Sequence, residues 1–259
     1  MAVYLDDGTT TRSLRLHKAP ILESLDIELG PHCPVDANVG KWIANAVDRR
    51  VFVDVSSPVC LPSLKRLHLV SVVYKDEDSV VRLLSSCPIL KYLYVLRHDQ
   101  DNVTNFSVKV PSLETLTYCN VKPKVVGEED VQDIGGSLAI DSKILKEFAI
   151  IDTSPNSYPN DKFMRSLSSQ PNDVPLCLST KLKIFEWNEY GGTSEEKHVL
   201  SYILANSKCL KRAGISLKST WKWNKKKIMK ELKSIYRIST SSQLLFSTQL
   251  EFEAKVDKK

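Results

Sequence analysis

Cysteine and histidine, the side chains most often used for metal binding and nucleophilic catalysis, are scattered along this chain of 259 residues. The two types adjoin only at His32 and Cys33, and no two cysteines have the CxxC spacing of zinc or thiol-redox sites. We therefore expect no metal ion and no catalytic residue. The cysteines are predicted to be buried, reduced thiols: Cys33, Cys60, Cys87, Cys119, Cys177 and Cys209.

Phrases that position phosphates or nucleophiles are also missing from the sequence. It contains no GxGxxG, GxxxxGK[ST], HExxH or GxSxG, and the pairs Gly135–Gly136 and Gly191–Gly192 lack the flanking residues of a phosphate loop. The acidic run Glu128–Asp130 lies in a glycine-containing connection and is interpreted as a solvated loop. These observations predict a protein that is not an enzyme and that uses no cofactor.

One segment concentrates lysine and tryptophan. Residues Lys218–Lys233 contain seven lysines and one glutamate, with Trp221 and Trp223 among them. Lysines pair with phosphates and aromatic rings stack on bases, so this composition could serve a single-stranded nucleic acid. The segment also accounts for the net charge of +5, from 36 basic and 31 acidic residues, and leaves the rest of the chain near neutral.

Helical periodicity gives the same segment a second interpretation, which we favour. A helix over 224–236 turns by 100° per residue and separates apolar residues from lysines, as in an amphipathic helix docked on a core. Its apolar face would hold Ile228, Met229, Leu232, Ile235 and Tyr236. Its opposite face is the candidate basic patch: Lys226, Lys227, Lys230 and Lys233.

A recurring phrase indicates the elements that position the polar side chains: leucine, a charged residue, any residue, an apolar residue, any residue, an apolar residue. Its clearest copies are Leu64–Leu69 (LKRLHL) and Leu90–Val95 (LKYLYV). A proline two residues before each of the first four leading leucines is typical of a turn that feeds a short strand. The seven leading leucines are Leu22, Leu64, Leu90, Leu113, Leu145, Leu182 and Leu210.

Several steps between leading leucines fall near the ~20 to 29 residues of a leucine-rich repeat. Alternation within each phrase places two apolar side chains in the interior and the residues between them on the opposite face. Stacked repeats of this kind form a concave parallel sheet. Because tyrosine and arginine dominate protein–protein hot spots, the outward positions of three adjacent repeats are candidates for partner binding. They are Arg66, His68, Tyr92, Tyr94, Thr115 and Thr117.

Further elements follow from local patterns. Short strands are predicted around 51–55, 106–110 and 138–140, and helices over 39–48 and 79–86. From about Gln170 the composition changes. There a strand at 182–187 leads through a glycine turn to Thr193 and Glu196, a capping box that opens a helix. The predicted fold is α/β: an irregular leucine-rich-repeat solenoid over 1–169 with a parallel concave sheet, continued and capped by an α/β unit over 170–259.

Several phrases resemble a known family. CLPSLKRLHL, SSCPILKYLYV and VPSLETLTY resemble plant F-box/leucine-rich-repeat proteins. VPLCLSTKLKIFEW, EYGGTSEEKHVLSYILANSKCLKRAGISLKS and KIMKELKSIYRISTSSQLLF are similar to their FBD domain. The resemblance implies an FBD-like C-terminal unit and the substrate-receptor portion of a Skp–cullin–F-box ubiquitin ligase, in which the repeat sheet holds a protein target.

The chain departs from that family in length. Nothing before Leu14 resembles an F-box, and the sequence looks shortened after Arg50 and after Ile150. A Skp adaptor is therefore expected as a partner only if an F-box is supplied elsewhere. The alternatives are a stand-alone leucine-rich-repeat scaffold, a truncated competitor without ligase recruitment, or a truncated product without a role of its own. Nucleic-acid binding through Lys218–Lys233 is a further alternative.

Targeting signals are absent from the pattern. No apolar run is longer than that of Tyr92–Leu96, which is far shorter than the ~18 residues of a membrane span. Asp6 and Asp7 lie where a signal peptide would need its hydrophobic stretch. The sequence predicts an intracellular protein of the cytoplasm or nucleus that has no membrane partner.

Overall fold

The computed structural model describes residues 2–5, 24–29, 61–70, 72, 74, 77–97, 103–120, 137–152, 174–218 and 225–247. Its strands are β1 (Ala2–Leu5), β2 (Ser24–Leu29), β3 (Arg66–Val70), β4 (Tyr92–Arg97), β5 (Asn105–Lys109), β6 (Thr115–Asn120), β7 (Ser137–Asp141), β8 (Glu147–Asp152), β9 (Ile184–Tyr190), β10 (Arg212–Leu217) and β11 (Gln243–Ser247). Its helices are α1 (Glu77–Ser85), α2 (Leu176–Thr180), α3 (Ser194–Asn206) and α4 (Lys225–Ser234).

Nine strands form one sheet in the order β1-β2-β3-β4-β6-β8-β9-β10-β11, and every neighbouring pair is parallel. The order follows the chain, except that β5 and β7 pair with each other in a separate parallel sheet. The parallel sheet expected from the recurring phrase is therefore confirmed. In the described residues this sheet is open, with β1 and β11 at its edges, and the concave solenoid stays a prediction.

The recurring phrase determines the register. Leu67, Leu93 and Leu116 are direct partners on β3, β4 and β6, followed by Phe148 on β8 and Phe185 on β9. All five are buried, as the alternation predicts. The leading leucines of the described copies are buried as well: Leu64, Leu90, Leu113, Leu145, Leu182 and Leu210.

Aromatic side chains fill the inner side of the sheet toward its C-terminal half. The rings of Phe148 and Phe185 lie 5.8 Å apart, and Trp187 meets Phe185 edge-on at 6.2 Å. Tyr190 in turn meets Trp187 edge-on at 5.2 Å. Such contacts contribute about 0.5–1.5 kcal/mol each beyond area burial. Phe185 and Trp187, from the FEW stretch of β9, are thus part of the core.

The turn after β9 explains why two glycines, Gly191 and Gly192, follow this strand. Gly192 has a φ of 77°, a left-handed conformation that glycine adopts without strain. A Cβ on Gly192 would also lie 3.3 Å from Cδ1 of Ile228 on α4. Thr193 then caps α3, and the predicted capping box with Glu196 is confirmed. Residues 190–196 (YGGTSEE) therefore form the turn that leads from β9 into α3.

Several other predicted elements are confirmed, with differences. The strands expected near 106–110 and 138–140 are β5 and β7, and the helix expected over 79–86 is α1, which begins two residues earlier. The segments 39–48 and 51–55 lie outside the described residues. Pairing of β8 with β9 carries the sheet across residue 170, so the division at 169 stays a prediction. No helix in the described ranges has the length and apolarity to cross a membrane.

Candidate partner-binding face

The six outward residues predicted for partner binding form a regular array on β3, β4 and β6. Arg66, Tyr92 and Thr115 are register partners in one row, while the second row lies two residues further along each strand. That second row consists of His68, Tyr94 and Thr117. We refer to this array of six residues as the outward array.

Contacts between neighbouring strands hold the outward array together. The Arg66 guanidinium carbon lies 5.0 Å from the centroid of the Tyr92 ring, a cation–π geometry. The His68 and Tyr94 rings lie 5.5 Å apart in a tilted arrangement. These cross-strand pairs restrict the side chains before any partner arrives, so less conformational entropy is lost on binding.

Exposure differs between the two rows. Arg66 and Tyr92 are exposed, Tyr92 at 40%, whereas His68 and Tyr94 are half-buried. Burial raises the pKa of the Tyr94 phenol above its ordinary value, and the neighbouring Cys119 thiol raises it further. Tyr94 therefore stays protonated and can donate a hydrogen bond. The first row offers flat aromatic and cationic surface, while the second offers polar groups in a drier setting.

A second polar pair extends this face onto β9 and β10. Arg212 Nη2 lies 2.6 Å from Glu186 Oε1, and only 13% of the Glu186 side chain is exposed. Burial raises the pKa of the Glu186 carboxyl, Arg212 opposes that shift, and Glu147 on β8 adds to it. Neither Glu186 nor Arg212 was among the predicted site residues, although both occupy outward positions of later copies of the phrase.

Helix α4 carries the lysines of the candidate basic patch. Ile228 and Leu232 are buried and Met229 packs partly against the core, so the amphipathic helix is confirmed for these residues, and Ile235 packs partly against the core just after the helix ends. Tyr236 is a correction: it is 70% exposed, because the helix ends at Ser234 and the periodicity no longer applies. The exposed lysines are Lys226, Lys227, Lys230 and Lys233.

Partners of the patch residues are few. Lys233 Nζ lies 5.9 Å from the centroid of the Phe246 ring. On the same helix Glu231 pairs with Lys197 of α3 at 2.6 Å, which ties α4 to its neighbour. Trp221 and Trp223, the stacking residues of the nucleic-acid hypothesis, lie outside the described residues. The patch and the outward array both stay predictions as binding sites.

The described cysteines are free thiols, as expected, with one correction to their burial, while Cys33 and Cys60 lie outside the described residues. Cys87, Cys119 and Cys177 are free and buried, but Cys209 is exposed. The buried position three residues before the leading Leu210 is taken by Ser207 instead. In the described ranges no three His, Cys, Asp or Glu side chains converge as metal ligands would.

Comparison with known proteins assigns the chain to a family. The FBD family model matches residues 170–215, and the Leucine Rich Repeat model matches residues 63–88. An F-box/FBD/LRR-repeat protein of Arabidopsis thaliana is 36% identical in an alignment that covers 95% of this chain and 82% of the relative. The chain belongs to the F-box/FBD/LRR-repeat protein family.

Two further Arabidopsis thaliana members of the F-box/FBD/LRR-repeat family are similar. One, another F-box/FBD/LRR-repeat protein, is 33% identical over 93% of this chain and 83% of its own length. The other, an FBD-associated F-box protein, is 32% identical over 91% and 83%. All three are named for F-box, FBD or repeat segments and not for a catalytic activity. No solved structure matches the chain.

The family alignment also bears on internal length. The match to the first relative extends over 386 positions, more than the 259 residues present here. That F-box/FBD/LRR-repeat relative therefore carries residues between the matched segments that this chain lacks, while shortening after Arg50 and after Ile150 stays a prediction. The FBD match, residues 170–215, includes the aromatic residues of β9 and the glycine turn described above.

Proposed function

We propose that this chain is a non-enzymatic protein-interaction module that corresponds to the substrate-receptor portion of a Skp–cullin–F-box ubiquitin ligase. The observation that carries the proposal is the outward array, where Arg66 over Tyr92 and His68 against Tyr94 form neighbouring cross-strand pairs. Tyrosine and arginine on a rigid sheet provide large contact area at a low entropic cost. A protein target would be held on this face of the sheet.

Two further observations on the outward array support this proposal. Thr115 and Thr117 continue the array and add small hydroxyls beside the aromatic pairs, as in a polar rim. The Thr115 hydroxyl donates to Glu147 Oε2 at 3.5 Å, so the array connects with an acidic side chain of β8. A target that presents both apolar and charged groups would fit such a surface.

The alternative within the same class is a stand-alone scaffold or competitor that engages a target without recruiting a ligase. The two candidates differ in whether the protein retains a Skp adaptor. A pull-down of purified Skp adaptor by the full chain separates them. Retention favours the ligase receptor, whereas its absence together with target binding favours the scaffold.

The binding face is tested with Arg66→Ala/Tyr92→Ala in affinity purification from plant extract, quantified by mass spectrometry against wild type. A specific target should fall about tenfold or more, because truncated hot-spot residues typically cost over 1 kcal/mol. The matched control is Arg82→Ala/Tyr236→Ala, which removes the same exposed residue types from α1 and from the segment after α4. Equal recovery with both variants would contradict the proposal.

A further inference from the structure

The residue directly after each leading leucine belongs to a row along the amino-terminal edge of the parallel sheet. From Lys91 onward, each backbone N–H in this row donates to the carbonyl oxygen of the preceding member, at 2.8 to 2.9 Å. Because neighbouring strands lie ~4.8 Å apart, the six side chains leave the sheet at regular steps over ~24 Å. We call this set the lysine row: Lys65, Lys91, Glu114, Lys146, Lys183 and Lys211.

Glu114, the one acidic member of the lysine row, shows how the row holds a carboxylate. Its Oε1 lies 3.3 Å from Lys91 Nζ and its Oε2 lies 2.5 Å from Lys146 Nζ. The hydrogen bond from Lys146, followed by that from Lys91, holds the pKa of the Glu114 carboxyl below its ordinary value. One carboxylate thus bridges the lysines of both neighbouring strands.

The last two members, Lys183 and Lys211, are adjacent in the row and have no such acid between them. Both are exposed, and within the described ranges neither ammonium is paired with a carboxylate. Glu186, which lies on β9 three residues after Lys183, is already paired with Arg212. Lys181 and Lys208, also exposed, precede the same two strands. This end of the edge is therefore positively charged and open to solvent.

We propose that Lys183 and Lys211, with Lys181 and Lys208 beside them, bind an acidic stretch of a polypeptide partner. Carboxylates of that stretch would pair with these ammonium groups as the Glu114 carboxylate pairs with Lys91 and Lys146 on the strands to either side of it. An extended peptide rises ~3.3 Å per residue and neighbouring strands lie ~4.8 Å apart, so two or three residues span the backbone positions of Lys183 and Lys211. The row contains no aromatic side chain for base stacking, which favours an acidic peptide over a single-stranded nucleic acid.

This inference rests on the proposed protein-binding function and adds the chemistry of one part of the partner. It concerns the amino-terminal ends of the strands, whereas the outward array lies on one face of the sheet. Decaglutamate labelled with fluorescein is a suitable probe, and its affinity for the full chain is measured by fluorescence anisotropy at low and moderate salt. Wild type should bind, and binding should weaken as salt screens the charges.

The decisive variant is Lys183→Glu/Lys211→Glu, and its matched control is Lys226→Glu/Lys230→Glu, which makes the same charge change on α4. The row variant should bind decaglutamate on the order of tenfold more weakly than wild type, since two exposed attractions become repulsions. The α4 variant should bind within about twofold of wild type. Thermal unfolding followed by circular dichroism checks that both variants are folded, and Lys183→Gln/Lys211→Gln replaces the row variant if it is not.

Three outcomes would overturn the inference. Equal losses in the row and α4 variants would reduce the effect to net charge. No measurable binding of decaglutamate by wild type at low salt would exclude the acidic partner. Tighter, row-dependent binding of a labelled oligo-dT would assign the edge to nucleic acid. Arg66→Ala/Tyr92→Ala should leave decaglutamate binding unchanged, so a failure at the edge and a failure of the outward array are distinguishable.

Discussion

The hydroxyl of Thr193 accepts a hydrogen bond from the Glu196 N–H at 3.2 Å, and the Glu196 carboxylate accepts one from the Thr193 N–H at 2.9 Å. The second carboxylate oxygen accepts from the Gly191 N–H at 3.1 Å. Glu196 is buried, so these backbone groups have little access to water. One reciprocal pair therefore fixes both the glycine turn and the start of α3.

Removing either member of this pair should destabilise the fold, by an amount that differs between the two residues. Thr193→Ala should lower the free energy of unfolding by about 1 kcal/mol through the loss of one cap bond. Glu196→Ala should cost more, about 1–3 kcal/mol, because it leaves the buried Gly191 N–H unpaired. Urea denaturation measures both. Ser194→Ala, an exposed change in the same turn, should stay within about 0.5 kcal/mol of wild type, and an equal loss there would contradict this account.

Interior leucines of the recurring phrase should contribute strongly to stability. Leu67→Ala, Leu93→Ala and Leu116→Ala each open a cavity between neighbouring strands and should cost about 2–5 kcal/mol. Thr117→Ala, on the outward face of β6, is the control and should have a small effect. Thermal or urea unfolding measures the difference. Little change in the leucine variants would argue against the register of β3, β4 and β6.

Acid should weaken the bridge centred on Glu114. Its folded-state pKa lies below the ordinary value of 4.5, so its contribution is present above pH 4.5 and is lost as the pH falls through the lowered value. Because the lysines are about half exposed, the effect should be only a few tenths of a kcal/mol. The unfolding free energies of wild type and Glu114→Gln should therefore differ above pH 4.5 and converge as the pH falls below it. If the difference in unfolding free energy between wild type and Glu114→Gln stays constant as the pH falls, Glu114 does not bridge the two lysines.

Thiol reactivity should separate the described cysteines. Burial raises the pKa of the Cys119 thiol to about 11 and also raises that of Cys177, so both stay protonated at pH 8. Cys209 is exposed and should be alkylated first by iodoacetamide. Peptide mass spectrometry follows each site over time, with Cys209→Ser as control. Equal rates at Cys119 and Cys209 in the folded protein would show that burial does not protect Cys119.

The sequence predicted the strand positions of the outward array because the repeated phrase encodes both face and register. Once each leading leucine is buried, alternation alone places Arg66 beside Tyr92 and His68 beside Tyr94. The salt bridge between Glu186 and Arg212 was missed, since it requires knowing that the strands of two later, weaker copies are neighbours.

Other differences have local physical causes. The exposure of Cys209 follows from a change of residue at the buried position before the leucine, where Ser207 replaces the cysteine seen at Cys87. The exposure of Tyr236 follows from the end of α4, which no strong stop signal marks in the sequence. The short helix α2 has too few residues to show a helical period.

The backbone ladder at the strand starts has a consequence for how such proteins change over time. Its hydrogen bonds use only main-chain groups, and each strand bonds only to its immediate neighbours. A complete repeat can therefore be inserted or deleted between two others, and the new neighbours will meet with the same pairing. Homologous proteins can gain or lose binding surface in increments of ~4.8 Å without redesign of the remaining repeats.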